Sequence, residues 1–235
     1  MRKHSDIPWL IIWLLIYLGF LILEIITGKC LAVTILKYGG LVLCFLYVLI
    51  YARKDTFLVA AMLLTLIADG ILVFNNVSEW GVLVFILVQV AHLLRFSAIL
   101  RKTPLIPVLL TMLVTVVGLL QKEIPLMFIL SMAYGVLMFA NIYEAFCWCK
   151  LDRSAASKCA LFGFILFLLC DISVAFSYVT TTATLPHTIT ILASYFAWMF
   201  YLPAQVLIAL SGKKRDFETE EILELPKNEI LDTRA

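Results

Sequence analysis

The sequence predicts an all-α, polytopic membrane bundle, and three observations carry that prediction. Hydrophobic residues make up 63% of the chain and charged ones 14%, with a mean hydropathy of +1.04. That leaves too little polar surface to clothe a water-soluble domain of 235 residues. The apolar runs are about 20 residues long, the length a helix needs to cross roughly 30 Å of hydrocarbon, whereas barrel strands would show short alternating segments. Charges are parked between these runs instead of covering a face, so a net charge of +2 points to no nucleic-acid partner.

Cutting at charges, prolines and glycines gives eight expected spans: Ile7–Thr27, Leu31–Tyr51, Phe57–Phe74, Gly81–Leu100, Leu105–Leu120, Pro125–Trp148, Ala156–Val179 and Pro186–Ser211. The first stays as a span: Met1–Asp6 is basic, but Ile7–Thr27 is too long for a signal-peptide core and lacks a small-residue cleavage site. Short connectors force neighbouring spans to run antiparallel. Residues 1–212 therefore read as one transmembrane bundle, and 213–235 as a polar tail too short and acidic to bury a core.

Arg2, Lys3, Arg53, Lys54, Arg101, Lys102, Lys150, Arg153, Lys158, Lys213, Lys214 and Arg215 fall on one side of this scheme, and Lys29 and Lys122 on the other. The positive-inside rule then makes both termini cytoplasmic. The expected setting is a bacterial cell membrane or an endomembrane, with the oligomeric state left open. The cysteines Cys30, Cys44, Cys147, Cys149, Cys159 and Cys170 show no C-x-x-C spacing and read as packing residues. Most Trp and several Tyr residues read as interfacial belt or packing groups.

Two spans break their hydrocarbon with an aspartate: LVAAMLLTLIADGILVF (Leu58–Phe74) carries Asp69, and LFGFILFLLCDISVAFSY (Leu161–Tyr178) carries Asp171. An ionised Asp at the bilayer centre costs at least about 2.5–3.5 kcal/mol on insertion scales, so function is the default explanation to test. At about 1.5 Å per residue, Lys37, Asp69, His92, Asp171 and Tyr201 fall between the midplane and the outer third. Arg95, Asn141, Glu144 and Gln205 fall in the inner half. Polar groups at matching depth on several spans are what a shared internal cavity requires. The plainer readings are snorkelling for Lys37, snorkelling or a bond to a helix C-terminal carbonyl for Arg95, an interhelical hydrogen bond for His92, and solvated span ends for Glu24 and Glu144.

Metal catalysis is disfavoured because the only histidines are His4, His92 and His187, so no three-His zinc site can form in the membrane. No cofactor is implied. A G-x-S-x-G elbow is absent from the sequence. What remains is a pair of carboxyls with a histidine and a lysine nearby. Two Asp side chains in one low-dielectric cavity cannot both ionise cheaply, which makes one acid and one base from the same residue type. Such a pair suits a reaction through an oxocarbenium-like cation. It would equally suit a proton-coupled transporter, although the sequence shows no internal repeat and no matched pair of broken helices.

The pieces around these residues resemble a known family. GVLVFILVQVAHLLRFSAI (Gly81–Ile99), IADGILVF (Ile67–Phe74), GFILFLLCDISVAF (Gly163–Phe176) and YLPAQVLIALS (Tyr201–Ser211) are similar, in order and spacing, to segments of the lysoplasmalogenase (YhhN-like) membrane proteins. Lys37 lies where that family commonly has Lys-Pro. The resemblance implies hydrolysis of the vinyl ether bond of a lysophospholipid with an alkenyl chain, giving a fatty aldehyde and a glycerophospho-ethanolamine or -choline. On that reading Asp69 and Asp171 divide the roles of acid and base or stabiliser, and His92 positions water or tunes the pair. Tyr201 and Gln205 bond the glycerol oxygens, Lys37 counters the phosphate or the aspartates, and Arg95 and Asn141 complete the substrate-binding set.

Overall fold

The computed structural model describes residues 6–28, 30–75, 78–121, 123–182 and 187–213. Among them every regular element is a helix: α1 Ile7–Thr27, α2 Leu31–Tyr51, α3 Thr56–Asn75, α4 Glu79–Leu100, α5 Leu105–Leu120, α6 Leu126–Leu151, α7 Ala155–Thr182 and α8 His187–Leu210. Six are long and apolar enough to cross a membrane. The apolar parts of α3 (Thr56–Leu72) and of α5 are shorter, and the 16 residues of α5 reach about 24 Å.

Helix ends are set by local chemistry. The Asp55 carboxylate accepts from the Leu58 N–H and caps α3, and the Ser78 hydroxyl accepts from Trp80 N at the start of α4, each satisfying an amide that the helix itself leaves open. Gly28, at a φ of +70°, ends α1 in a backbone region closed to most side chains. Inside α8, Pro203 has no N–H to give the Met199 carbonyl one turn back. The Tyr17 hydroxyl of α1 donates to that carbonyl instead, at 3.1 Å.

The helices α2, α3, α4, α6, α7 and α8 pack in turn into a ring that closes where α8 meets α2. Helix α1 lies against α2 and α8, and α5 is attached from outside through α6 and buries none of its own residues. The tightest seam is between α7 and α8, where a Cβ on Gly163 would stand 3.1 Å from Ile208 N and 3.2 Å from Ala204 O. Phe164, Phe167, Leu202 and Ile208 fill this part of the core.

Contacts between helix ends fix the up-and-down course. Tyr47 and Lys213 both donate to Asp6, which brings the start of α1, the end of α2 and the end of α8 to one end of the bundle. Arg95 joins it by pairing with Asp55 and Ser211. Glu24 and Lys37 meet at the opposite end. We call these the Arg95 end and the Glu24 end. The outward faces carry Ile25, Ile26, Ile106 and Leu120, each exposed, while Asp69, Gln89, His92, Arg95, Asn141 and Gln205 are buried. A greasy exterior around a polar interior is the pattern of a multi-pass membrane protein.

The eight helices begin and end within three residues of the spans expected from the sequence. Arg53, Lys54, Arg101, Lys102, Lys150, Arg153, Lys158 and Lys213 all belong to the Arg95 end. Arg2, Lys3, His4, Lys29, Lys122, Lys214 and Arg215, and with them the tail from 214 to 235, lie outside the described residues. Lys213, expected as the first residue of the tail, turns back to Asp6 at 2.6 Å.

Candidate active site

Inside the ring, two carboxyls are each held by a tyrosine from another helix. Asp69 of α3 accepts from the Tyr201 hydroxyl of α8 at 2.5 Å. Asp171 of α7 accepts from the Tyr134 hydroxyl of α6 at 2.7 Å. Both bonds are short, as expected when the acceptor carries or shares charge. The two halves are joined by aromatic rings: Tyr134 meets Phe85 edge-on, Phe85 meets Phe167, and Phe167 packs on Tyr201 at 5.6 Å. The two carboxyls are thus held by phenols of one aromatic cluster. They are not equivalent, since Asp69 is 6% exposed whereas Asp171 is only half-buried.

A polar chain extends from Asp171 toward the Arg95 end. Gln89 Nε2 donates to Tyr134 Oη at 3.3 Å, and Asn141 Nδ2 donates to the Gln89 carbonyl and to its Oε1, at 2.9 and 2.8 Å. His92, one turn after Gln89 and one turn before Arg95 on α4, is buried with its ring T-shaped to Phe164 at 5.0 Å. Gln205 is buried one turn after Tyr201. His92 Nδ1, Asn141 Oδ1 and Gln205 Oε1 are buried polar atoms with no hydrogen-bond partner among the described residues. Such groups ordinarily take up water or a polar ligand.

Arg95 belongs to a separate cluster. Its Nε is 2.7 Å from Asp55 Oδ2, and its two terminal nitrogens donate to the Ser211 hydroxyl and carbonyl at 2.9 and 3.1 Å. The guanidinium also lies against the Phe96 and Trp148 rings. It is fully buried and does not snorkel. Its bonds tie the start of α3 to the ends of α4 and α8.

Lys37 is likewise buried, at 6% exposure, and Glu24 at 1%. This departs from the solvated span end expected for Glu24: its carboxylate is 2.7 Å from Lys37 Nζ, because α1 delivers it one turn inside the bundle instead of at the surface. The Lys37 ammonium stands over the Trp198 ring at 4.7 Å and the Phe20 ring at 5.6 Å. Trp198 in turn packs edge-on against Tyr201 at 5.5 Å. One indole therefore separates this ion pair from the Asp69 pair.

The structure thus brings Asp69, Asp171 and Tyr201 together, sets Lys37 one ring away, and lines Asn141 and His92 up on the side toward Arg95. Sequence reasoning missed Tyr134, Gln89 and Glu24. A signal for Tyr134 existed, since it lies two helical turns before Asn141 and so shares its face. Gln89 lies one turn before His92 in the same way. Among the described residues no three or more His, Cys, Asp or Glu side chains gather as a metal-binding group.

The model of the YhhN family matches residues 32–212, which covers α2 to α8 and leaves α1 outside. No curated protein and no solved structure matches the chain.

Proposed function

The chain belongs to the YhhN family, and on that premise we propose that it is an intramembrane hydrolase of the vinyl ether bond of lysoplasmalogens. The observation that carries this reading is the convergence of two carboxyl–phenol pairs, Asp69–Tyr201 and Asp171–Tyr134, from four helices of one ring.

A vinyl ether is hydrolysed by protonation of its β-carbon, which leaves an oxocarbenium ion at the carbon bound to oxygen. Water adds to that carbon and loses a proton, and the resulting hemiacetal collapses to an aldehyde and an alcohol. The chemistry needs a neutral acid aimed at carbon, an anion beside the developing cation, and a placed water. Two carboxyls near one another supply the first two, with the tyrosines holding each in position. His92, Asn141 and Gln205 offer buried polar atoms that could hold the water or the glycerol oxygens. The substrate on this reading is an alkenyl lysophospholipid drawn from the surrounding membrane lipid.

The test is purified protein given a 1-alkenyl and a 1-acyl lysophospholipid, with aldehyde and fatty acid measured. Aldehyde from the alkenyl lipid alone is expected. Asp69→Asn and Asp171→Asn should each lower its release by about 10²–10⁴-fold, the usual worth of a general acid or base, while the protein elutes as the wild type does. Aldehyde at the wild-type rate from both variants would overturn the reading.

A further inference from the structure

The ion pair between Glu24 and Lys37 has no part in the chemistry above and needs a reason of its own. Two opposite charges buried at 1% and 6% exposure gain little net stability over apolar side chains of similar size, because each must leave water. They are also placed in an aromatic setting: the ammonium faces Phe20 and Trp198, and the Tyr195 hydroxyl donates to the Glu24 carbonyl at 3.1 Å. Aromatic faces around a cation are the arrangement that binds alkylammonium groups. Trp198 packs on Tyr201, so one indole lies between the pair and the Tyr201–Asp69 bond.

We propose that Glu24 and Lys37 form an exchangeable receptor for a zwitterionic phospho-amine head group, with Lys37 taking the phosphate and Glu24, with the Trp198 and Phe20 rings, taking the amine. This rests on the hydrolase reading only for the identity of the lipid. A head group carrying both charges replaces each member of the pair with a partner of the same sign, so neither protein charge is left buried alone. A head group with the phosphate but no amine captures Lys37 and strands the Glu24 carboxylate, which is the costly way to break a buried pair. Selection among lysolipids therefore falls on Glu24, a residue of α1 and outside the segment matched to the family.

The probes are saturated alkyl-ether lysophospholipids, which this chemistry does not cleave, with either a phosphoethanolamine or a phosphoglycerol head. Binding to the detergent-solubilised protein is measured by calorimetry. The wild type should bind the phosphoethanolamine lipid at least about tenfold more tightly than the phosphoglycerol lipid. Glu24→Gln should bring the two within about twofold by relieving the stranded charge, and Lys37→Gln should weaken both. Equal affinities in the wild type, or a ratio unchanged by Glu24→Gln, would overturn the proposal. The double variant Glu24→Gln, Lys37→Gln guards against misfolding of the single ones. A purely structural pair predicts that it keeps the wild-type ratio and loses only thermal stability, and that result also overturns the receptor. Aldehyde release from alkenyl lipids is followed in parallel. An inactive protein that keeps the head-group preference removes the hydrolase reading alone, and an active one without the preference removes the receptor alone.

Discussion

Tyr201 and Tyr134 each give one hydroxyl to one carboxyl, so a single oxygen atom on each side decides how the aspartates are aimed. Tyr201→Phe keeps the ring that packs on Phe167 and Trp198 and removes only the bond to Asp69. A hydrogen bond to a charged group contributes about 1.5–3 kcal/mol, so kcat/KM for aldehyde release should fall by roughly ten- to hundredfold with little change in elution or melting. Arg95 is the opposite case, a residue whose removal should be felt in stability. Arg95→Met leaves the Asp55 carboxylate buried without its guanidinium, and should destabilise by about 3–5 kcal/mol, read as a lower melting temperature in detergent. Adding Asp55→Asn should recover part of that loss, because the buried charge that lost its guanidinium then goes. A melting temperature unaffected by Arg95→Met would show that the cluster holds nothing together.

At the scale of the helix, α1 and α8 share a backbone repair. Pro203 withholds a donor from Met199 and Tyr17 supplies one. Tyr17→Phe should therefore cost about 1 kcal/mol, and in a Pro203→Ala background, where an N–H returns to the turn, it should cost clearly less. A double-mutant cycle on thermal stability reads the difference, and equal costs in both backgrounds would dissociate the two residues. Helix positions were legible in the sequence because hydrocarbon runs must match membrane thickness and the breaks are charged, proline or glycine. Which residues meet across helices was legible only in part. Asp69 and Asp171 stand out as single acids in apolar runs, but Tyr134 looks like any packing aromatic, and nothing along the chain pairs Tyr201 with Asp69 at a separation of 132 residues. Glu24 was misread because its closeness to the end of a span suggested solvent, whereas α2 and α8 cover it. Arg95 is legible in part: the expected bond to a helix C-terminal carbonyl is met at Ser211, just past α8, whereas its acid, Asp55, lies in a connector and nothing along the chain joins the two.

For the whole molecule, the two ends of the ring differ in charge. The Arg95 end carries the connectors with Arg53, Lys54, Arg101, Lys102 and Arg153, and by the positive-inside rule it should face the cytoplasm. Cys30, at the Glu24 end, is a free thiol whose ionisation is held below the ordinary thiol range by a hydrogen bond with the Thr27 side chain, so it is suited to alkylation. In intact cells a membrane-impermeant maleimide should label Cys30 and should reach Cys149, at the other end, only after permeabilisation. Labelling of Cys149 first would invert the orientation. The ring also closes late. Asp69 emerges on the third helix, and its phenol arrives on the eighth. A ribosome must thread the entire bundle into the bilayer before that carboxyl acquires its partner, so an unfinished chain holds an isolated acid in oil and no assembled carboxyl–phenol pair.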